Sequence, residues 1–371
     1  MIINVQQFDL QKAIERAEKL IHKKSTLPVL DSVKLTAENN KITLTVDNLD
    51  SRLAINLDGD IIDNGSVLID KSNFKLIKKL SGCLNISSND NKGEVIIKAN
   101  RTLKFTSFPA DEYPEFKDNT SEEAFIIPEN VFKNNLKIKA FASSDNTRPI
   151  FCSVAIKGND MVGCNNFFLS KITLNVQNKC DKEMIIPLQS INELDKILNN
   201  KSEKELKFCY AKGKDRITQL KISGEDFVYF TRLIDGNYME YSRIIPTEFK
   251  TFIVINKDKL YDAVDFAKDI IKDDPNNKVL FNINKDEFKF NAIYSNKSMS
   301  EIIPAEIKGE ELKILFDNSY IETIIKTIEE DNIKISFTGQ NSPAIIEGEG
   351  NNNELYLICP VRMTEEYNNV A

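Results

Sequence analysis

One arrangement of apolar and polar positions runs through the chain three times. Ile2-Ile3-Asn4-Val5 leads to Ala13-Ile14-Glu15-Arg16-Ala17, Phe125-Ile126-Ile127-Pro128 to Leu136-Lys137-Ile138-Lys139-Ala140, and Phe252-Ile253-Val254-Ile255 to Ala263-Val264-Asp265-Phe266-Ala267. Each is a short β-rich run, a polar break, then apolar residues at helical spacing. A second element recurs within each copy. Val67-Leu68-Ile69-Asp70 precedes Phe74, Ile77 and Leu80; Met184-Ile185-Ile186-Pro187 precedes Ile191, Leu194 and Leu198; Leu312-Lys313-Ile314-Leu315 precedes Ile321, Ile324, Ile325 and Ile328. Between these lie alternating stretches, among them Val33–Val46 with a turn at Asn39-Asn40, and the pairs Glu94–Lys98 with Thr102–Thr106, Val279–Ile283 with Phe288–Ala292, and Ile333–Phe337 with Ala344–Glu347. Alternation flanked by turn residues predicts antiparallel strands. The pattern predicts an α+β chain of three repeated domains of about 120 residues, an ordinary domain size, each with two helices packed on antiparallel sheet. The expected limits are 1–120, 121–247 and 248–363, with 364–371 as a C-terminal extension.

The predicted helices carry basic residues beside their apolar stripes. Lys12, Arg16 and Lys19 share one face of the first, and Lys71, Lys75, Lys78 and Lys79 surround the stripe of the second. Lys133, Lys137, Lys196 and Lys201 take such places in the middle copy, and Lys257, Lys268, Lys272 and Lys326 in the last. A charged helix face is ordinarily just solvated, and Asp265, Asp269 and Glu322 dilute the pattern. Its recurrence in three copies leaves a functional face as open a reading as a solvated one. The formal charge of −7 opposes a nucleic-acid partner as a sum, yet a sum does not describe how two surfaces divide the charge.

Catalytic and metal chemistry find no foothold. The six cysteines, at 83, 152, 164, 180, 209 and 359, form no Cys-x-x-Cys pair, and His22 is the single histidine. The thiols read as buried and free in a reducing compartment, with no metal and no cofactor expected. His22 sits in a lysine-rich stretch and reads as a loop residue. No Gly-x-x-x-x-Gly-Lys-[Ser/Thr], Gly-x-Gly-x-x-Gly or Gly-x-Ser-x-Gly run occurs. The acidic pairs Asp58/Asp60 and Asp273/Asp274 fall in turn-like stretches, as does Gly348-Glu349-Gly350. No catalytic residue is expected. The N-terminus lacks a signal-peptide pattern and no apolar run reaches membrane-spanning length, so the expectation is a cytoplasmic protein without a membrane partner.

Several segments give these repeats a likeness. Ser25-Thr26-Leu27-Pro28-Val29-Leu30, Phe108-Pro109-Ala110-Asp111-Glu112-Tyr113-Pro114, Thr231-Arg232-Leu233-Ile234-Asp235-Gly236-Asn237-Tyr238 with Tyr241-Ser242-Arg243-Ile244-Ile245-Pro246 after it, and Pro360-Val361-Arg362-Met363 stand in order along the chain. In these runs, and over residues 1 to about 363, the chain resembles the β subunit of bacterial DNA polymerase III, the sliding-clamp family. The resemblance implies a non-enzymatic processivity factor: a head-to-tail homodimer of clamp domains forming a six-domain ring, helices toward the hole and sheets outward. Duplex DNA would be held independently of sequence, through phosphate contacts alone. Lys24 matches a basic position of the family that approaches DNA; Lys12, Arg16, Lys75, Lys137, Lys196 and Lys268 join it here from their place on the helix faces.

By position, the resemblance also implies that Leu103 and Phe105 meet Ile270 and Ile271 of a second copy. It implies a groove for short peptides of DNA polymerase III and the clamp loader at Phe151, Phe167, Leu169, Met239, Arg243, Ile244, Leu357, Cys359 and Val361. Three departures bear on that groove. Cys164-Asn165-Asn166-Phe167-Phe168-Leu169 stands where the family has a Thr-Asp-Gly-His-Arg-Leu run, Met239 replaces a proline, and Thr364–Ala371 extends past the usual ending. They frame a second expectation: a divergent clamp-fold interaction module, with altered partners, that no longer encircles DNA.

Overall fold

The computed structural model describes residues 1–21, 27–89, 93–213, 216–275, 277–363 and 367. His22 and Lys24 lie outside the described residues, as does the C-terminal extension apart from Tyr367. The chain divides into two compact units, one of residues 1–136 with 176–235, the other of residues 137–175 with 236–371.

The strand-then-helix pattern recurs where the sequence places it. Strand Ile2–Gln6 runs into helix α1 (Gln7–Ala17), and Gly65–Asp70 into a 3-10 turn followed by the four-residue α2 (Phe74–Ile77). Glu122–Pro128 runs into α3 (Glu129–Asn135), and Met184–Pro187 into α4 (Leu188–Ile197). Thr251–Asn256 runs into α5 (Lys257–Ile271), and Leu312–Asp317 into α6 (Asn318–Thr327). Local chemistry marks the starts. Asn256 and Asp317 accept from the backbone N–H groups of Lys259 and Ser319, which offsets the unpaired donors of a helix N-terminus. Pro128 and Pro187 stand directly before α3 and α4. The middle copy departs from expectation. Its predicted helix at 136–140 is a 3-10 helix, Leu136–Phe141, following the shorter α3. Asn134 and Asn135 are poor helix formers that end α3, and Ile138 and Phe141, three apart and both buried, suit a three-residue turn.

In the first unit, an eight-stranded antiparallel sheet runs through Glu122–Pro128, Glu205–Lys212, Ile217–Ser223, Phe227–Arg232, Ser51–Leu57, Lys41–Asp47, Ser32–Glu38 and Gly65–Asp70. Phe227–Arg232 pairs with Ser51–Leu57, so strands far apart in sequence share one ladder. The Glu38↔Lys41 pair is closed by Asn39 and Asn40 at φ 52° and 57°, the left-handed pair that a tight hairpin requires and asparagine tolerates. A second sheet of Gly59–Asp63, Ile2–Gln6, Cys83–Asn89, Glu94–Lys98 and Thr102–Thr106 ends on that last strand.

In the second unit, Ser153–Lys157, Asp160–Cys164, Phe168–Thr173, Glu354–Ile358, Ala344–Gly348, Asn332–Phe337, Thr251–Asn256 and Ala305–Gly309 lie side by side in one sheet. Lys297–Ile303, Phe288–Tyr294, Lys278–Ile283 and Leu312–Asp317 form another. The apolar stripes of α5 and α6 are buried against both, around Phe281, Phe288, Phe290 and Phe316. A Cβ at Gly163 would stand 2.8 Å from the Ile138 carbonyl oxygen, so only glycine admits the 3-10 helix this close to the sheet.

Candidate functional site: helix faces, sheet edges and an apolar groove

The basic helix residues divide into two groups. Lys12, Lys75 and Lys196 are exposed; Lys12 Nζ rests 4.0 Å from the centre of the Phe8 ring. The other three are ion-paired within the chain. Arg16 bonds Asp226 at 2.8 Å, with its guanidinium over Phe227. Lys137 bonds Glu354 at 2.8 Å and donates to the Thr327 carbonyl. Lys268 bonds Glu322 and Asp265. A cation with a carboxylate partner offers little net charge to a phosphate. The structure therefore corrects the even treatment of these positions: Asp226 and Glu354, far away in the sequence, and Asp265 and Glu322, already seen to dilute the pattern, neutralise half of the described set.

Asn165 organises the turn that carries Phe167. Its side-chain oxygen accepts from the backbone N–H groups of Phe167 at 2.8 Å and Phe168 at 3.0 Å. That turn joins strands Asp160–Cys164 and Phe168–Thr173 and leaves Phe167 53% exposed. The Cys359 N–H donates to the Phe167 carbonyl at 2.8 Å, holding the last strand beside the turn. Tyr320, from the first turn of α6, stacks on Phe168 at 4.5 Å between ring centres and lies 5.8 Å from Phe167. Phe168 packs in turn on Phe141, and Phe141 on Tyr356, so the exposed ring stands on an aromatic row rooted in the core. Cys164 Sγ lies 3.2 Å from both the Tyr238 hydroxyl and Met239 Sδ.

Of the expected groove residues, Phe167, Arg243 and Ile244 are exposed, Phe151, Met239, Cys359 and Val361 half-buried. Leu169 and Leu357 are buried as a cross-strand pair that backs the surface. Tyr320 was missed: it falls just outside the Ile321, Ile324, Ile325 stripe, and helical spacing alone does not say what lies opposite. Burial raises the thiols of Cys152 and Cys359 above their ordinary value and that of Cys164 to about 11. At neutral pH these are thiols, which make poor nucleophiles. Among the described residues no group of three or more side chains is placed to hold a metal.

Leu103 and Phe105 are half-buried on Thr102–Thr106, the strand that ends the first unit's five-stranded sheet. Ile270 is half-buried on α5, but Ile271 is 0% exposed inside the second unit's core. The expectation of a surface role for Ile271 is corrected: one residue along an α-helix turns the side chain by about 100°. The apolar groups that do reach solvent there are Phe266, four residues before Ile270, and Ile302 on Lys297–Ile303. That strand ends the four-stranded sheet.

Three sequence families match this chain in tandem. They are the N-terminal, central and C-terminal domains of the DNA polymerase III beta subunit, over residues 1–117, 126–240 and 242–362. The chain belongs to the DNA polymerase III beta subunit family. The beta sliding clamp of Bacillus subtilis (strain 168) is 26% identical over 98% of this chain and 100% of its own length. That of Staphylococcus aureus (strain MW2) is 26% identical over 93% and 94%. A crystal structure of the DNA polymerase sliding clamp from Bacillus subtilis superposes with a TM-score of 0.90 at 24% identity, covering 98% of this chain and 100% of that one. The DNA polymerase III subunit beta from Pseudomonas aeruginosa has the same fold, with a TM-score of 0.90 at 19% identity, 98% and 100% covered. The chain thus has three clamp domains, as the repeats imply. Tyr367 lies beyond the last matched residue.

Proposed function

We propose that the chain is a DNA polymerase processivity factor that acts by enclosure and performs no catalysis. Two copies would join head to tail in a ring around duplex DNA. Short peptides of the replicative polymerase and the clamp loader would dock at the groove around Phe167, Tyr320 and Arg243. The observation that carries this reading is the tandem family match across nearly the whole chain. Two sheet ends support head-to-tail assembly. Thr102–Thr106 carries Leu103 and Phe105, and Lys297–Ile303 carries Ile302 with Phe266 and Ile270 on α5 beside it. Unpaired strand edges with apolar side chains are natural templates for another chain. The domain limits, 1–120, 121–247 and 248–363, and a cytoplasmic setting belong to the same reading. Among the described residues no helix is long and apolar enough to cross a membrane.

Closure would make strong contacts unnecessary. Lys12, Lys75 and Lys196 would attract phosphates in a sequence-independent, salt-sensitive manner, and the topological link would supply residence time. The test is retention on a nicked circular plasmid after loading at low salt and washing at high salt. Retention that vanishes on linearising the plasmid is the expected result; equal loss from both forms would overturn it. The ion pairs at Arg16, Lys137 and Lys268 favour a second reading, a clamp-fold interaction module that does not encircle DNA. A persistent monomer at micromolar concentration, with no plasmid retention, would select that one.

A further inference from the structure

On the four-stranded sheet of the second unit, Val279, Phe281 and Phe316 face the helices, in the core cluster. The alternate positions Leu280, Ile293 and Leu315 therefore point to the other face. Tyr367 lies against them, 0% exposed, in a cluster completed by Val361 and Met363. Its hydroxyl occupies a specific place in the ladder. Strands Lys278–Ile283 and Phe288–Tyr294 keep register up to Val279↔Ala292, and the next rung would join Lys278 to Ile293. The Tyr367 hydroxyl stands in that rung. It donates to the Lys278 carbonyl at 2.9 Å, with the Ile293 carbonyl at 3.1 Å, and accepts from the Ile293 N–H at 3.2 Å. The Lys278 ammonium lies 5.7 Å from the ring centre.

Two further features bear on how firmly this contact holds. Among the described residues, the segment before Tyr367 is tied to the sheet edge by one bridge, Leu315↔Val361, with the Val361 N–H donating to the Leu315 carbonyl at 2.8 Å. Asn282 and Asn291 continue the face of Leu280 and Ile293 and are buried, yet among the described residues Asn282 Oδ1 and both side-chain heteroatoms of Asn291 have no hydrogen-bond partner. Buried amide atoms left unpaired cost free energy that hydration would restore. The covered state thus combines a well-made tyrosine contact with an opposing polar penalty, a balance that favours exchange over permanence.

We infer that this face is a binding slot for a tyrosine carried on a peptide, and that Tyr367 fills it in cis as a displaceable strap holding the Cys359–Met363 segment to the sheet. The slot takes a free phenol, because its hydroxyl is held by a backbone N–H and two carbonyls, and carbonyl oxygens would repel a phosphate there. Release of Tyr367 uncovers the slot and loosens the segment bearing Val361. The inference stands whether or not the groove at Phe167 receives polymerase peptides, since it concerns only this chain's own residues.

The test uses the full chain with Tyr367→Ala and Tyr367→Phe, and a labelled synthetic peptide of residues 364–371. Amide exchange at Ile293 and Val361 should accelerate by at least about tenfold in Tyr367→Ala, a loss typical of an anchoring contact. Tyr367→Phe keeps the ring and should accelerate Ile293 alone, which keeps the test decisive if the alanine variant folds poorly. The peptide should restore protection of Ile293 in Tyr367→Ala, and the same peptide with alanine in place of its tyrosine should not. Binding to the wild type should be weaker, because the tethered tail competes at high effective concentration. Wild-type exchange at Ile293 in both variants, equal action of the two peptides, or equal affinity for wild type and Tyr367→Ala would overturn the inference.

Discussion

Replacing Glu193 tests how the shared sheet of the first unit is held. The carboxylate is 4% exposed and accepts from Asn48 Nδ2 at 3.0 Å, the Ser51 hydroxyl at 2.5 Å, the Tyr229 hydroxyl at 2.7 Å and Gln189 Nε2 at 3.1 Å. It thereby joins α4 to the turn before Ser51–Leu57 and to the strand paired with it, Phe227–Arg232. Glu193→Ala orphans three buried donors, at about 1–3 kcal/mol each. Ser51 can re-pair with Asn48 Oδ1, already 3.1 Å away, which leaves two. Removing a buried charge that, among the described residues, no lysine or arginine offsets returns part of the loss, so the expected net cost is about 2–4 kcal/mol. Glu193→Gln keeps an acceptor and the volume, and should cost about 1 kcal/mol. The direct assay is native-state amide exchange across Ser51–Leu57 and Phe227–Arg232, because domains of one chain can unfold separately; a urea midpoint gives the companion value. An alanine variant no worse than the glutamine variant, or within about 0.5 kcal/mol of wild type, would refute the reasoning.

Four other outcomes follow from the same kind of argument. Phe281→Ala, which removes a ring 5.1–5.6 Å from those of Phe288, Phe290 and Phe316, should cost about 3–5 kcal/mol in denaturant unfolding. Asn40→Val forces a β-branched residue into φ 57° and should cost about 1–2 kcal/mol, whereas Asn40→Gly should be near neutral by the same measurement. Burial pushes the Glu322 carboxyl up, but hydrogen bonds from Lys268 and Lys326 outweigh it and hold the carboxyl below its ordinary value. A depressed carboxylate stabilises the fold above the ordinary range and loses that contribution as pH falls through its folded value. Melting temperatures over acid pH should therefore fall less steeply in Glu322→Gln than in wild type. Phe167→Ala should leave stability within about 0.5 kcal/mol, as for an exposed side chain, while weakening capture of polymerase peptides at least about tenfold, as an anchor residue would; unchanged capture would remove Phe167 from the groove.

Local periodicity made much of the fold legible. The helix stripes and alternating strands are short-range signals, set by which side of an element meets apolar neighbours, and the stretches preceding α1, α2, α4, α5 and α6 were placed by them. The same logic failed at Leu136–Phe141, where period three and period 3.6 agree over so few residues. It failed more tellingly at the site. Ile271 reads as surface by matched position but lies inward by one helical step, and Tyr320 sits beside a core stripe while its ring faces Phe167 from a distant strand.

By itself, then, the sequence determined the threefold α+β repeat and the family likeness, because each depends on residues close together in the chain. Only the tertiary structure decided which cations are spoken for, what stands behind Phe167 and where Tyr367 goes. Arg16 meets Asp226, Lys137 meets Glu354 and Tyr367 meets Ile293 across long stretches of chain. Charge neutralisation and hydrogen-bond pairing depend on distances of a few ångströms in space, and no local pattern encodes those.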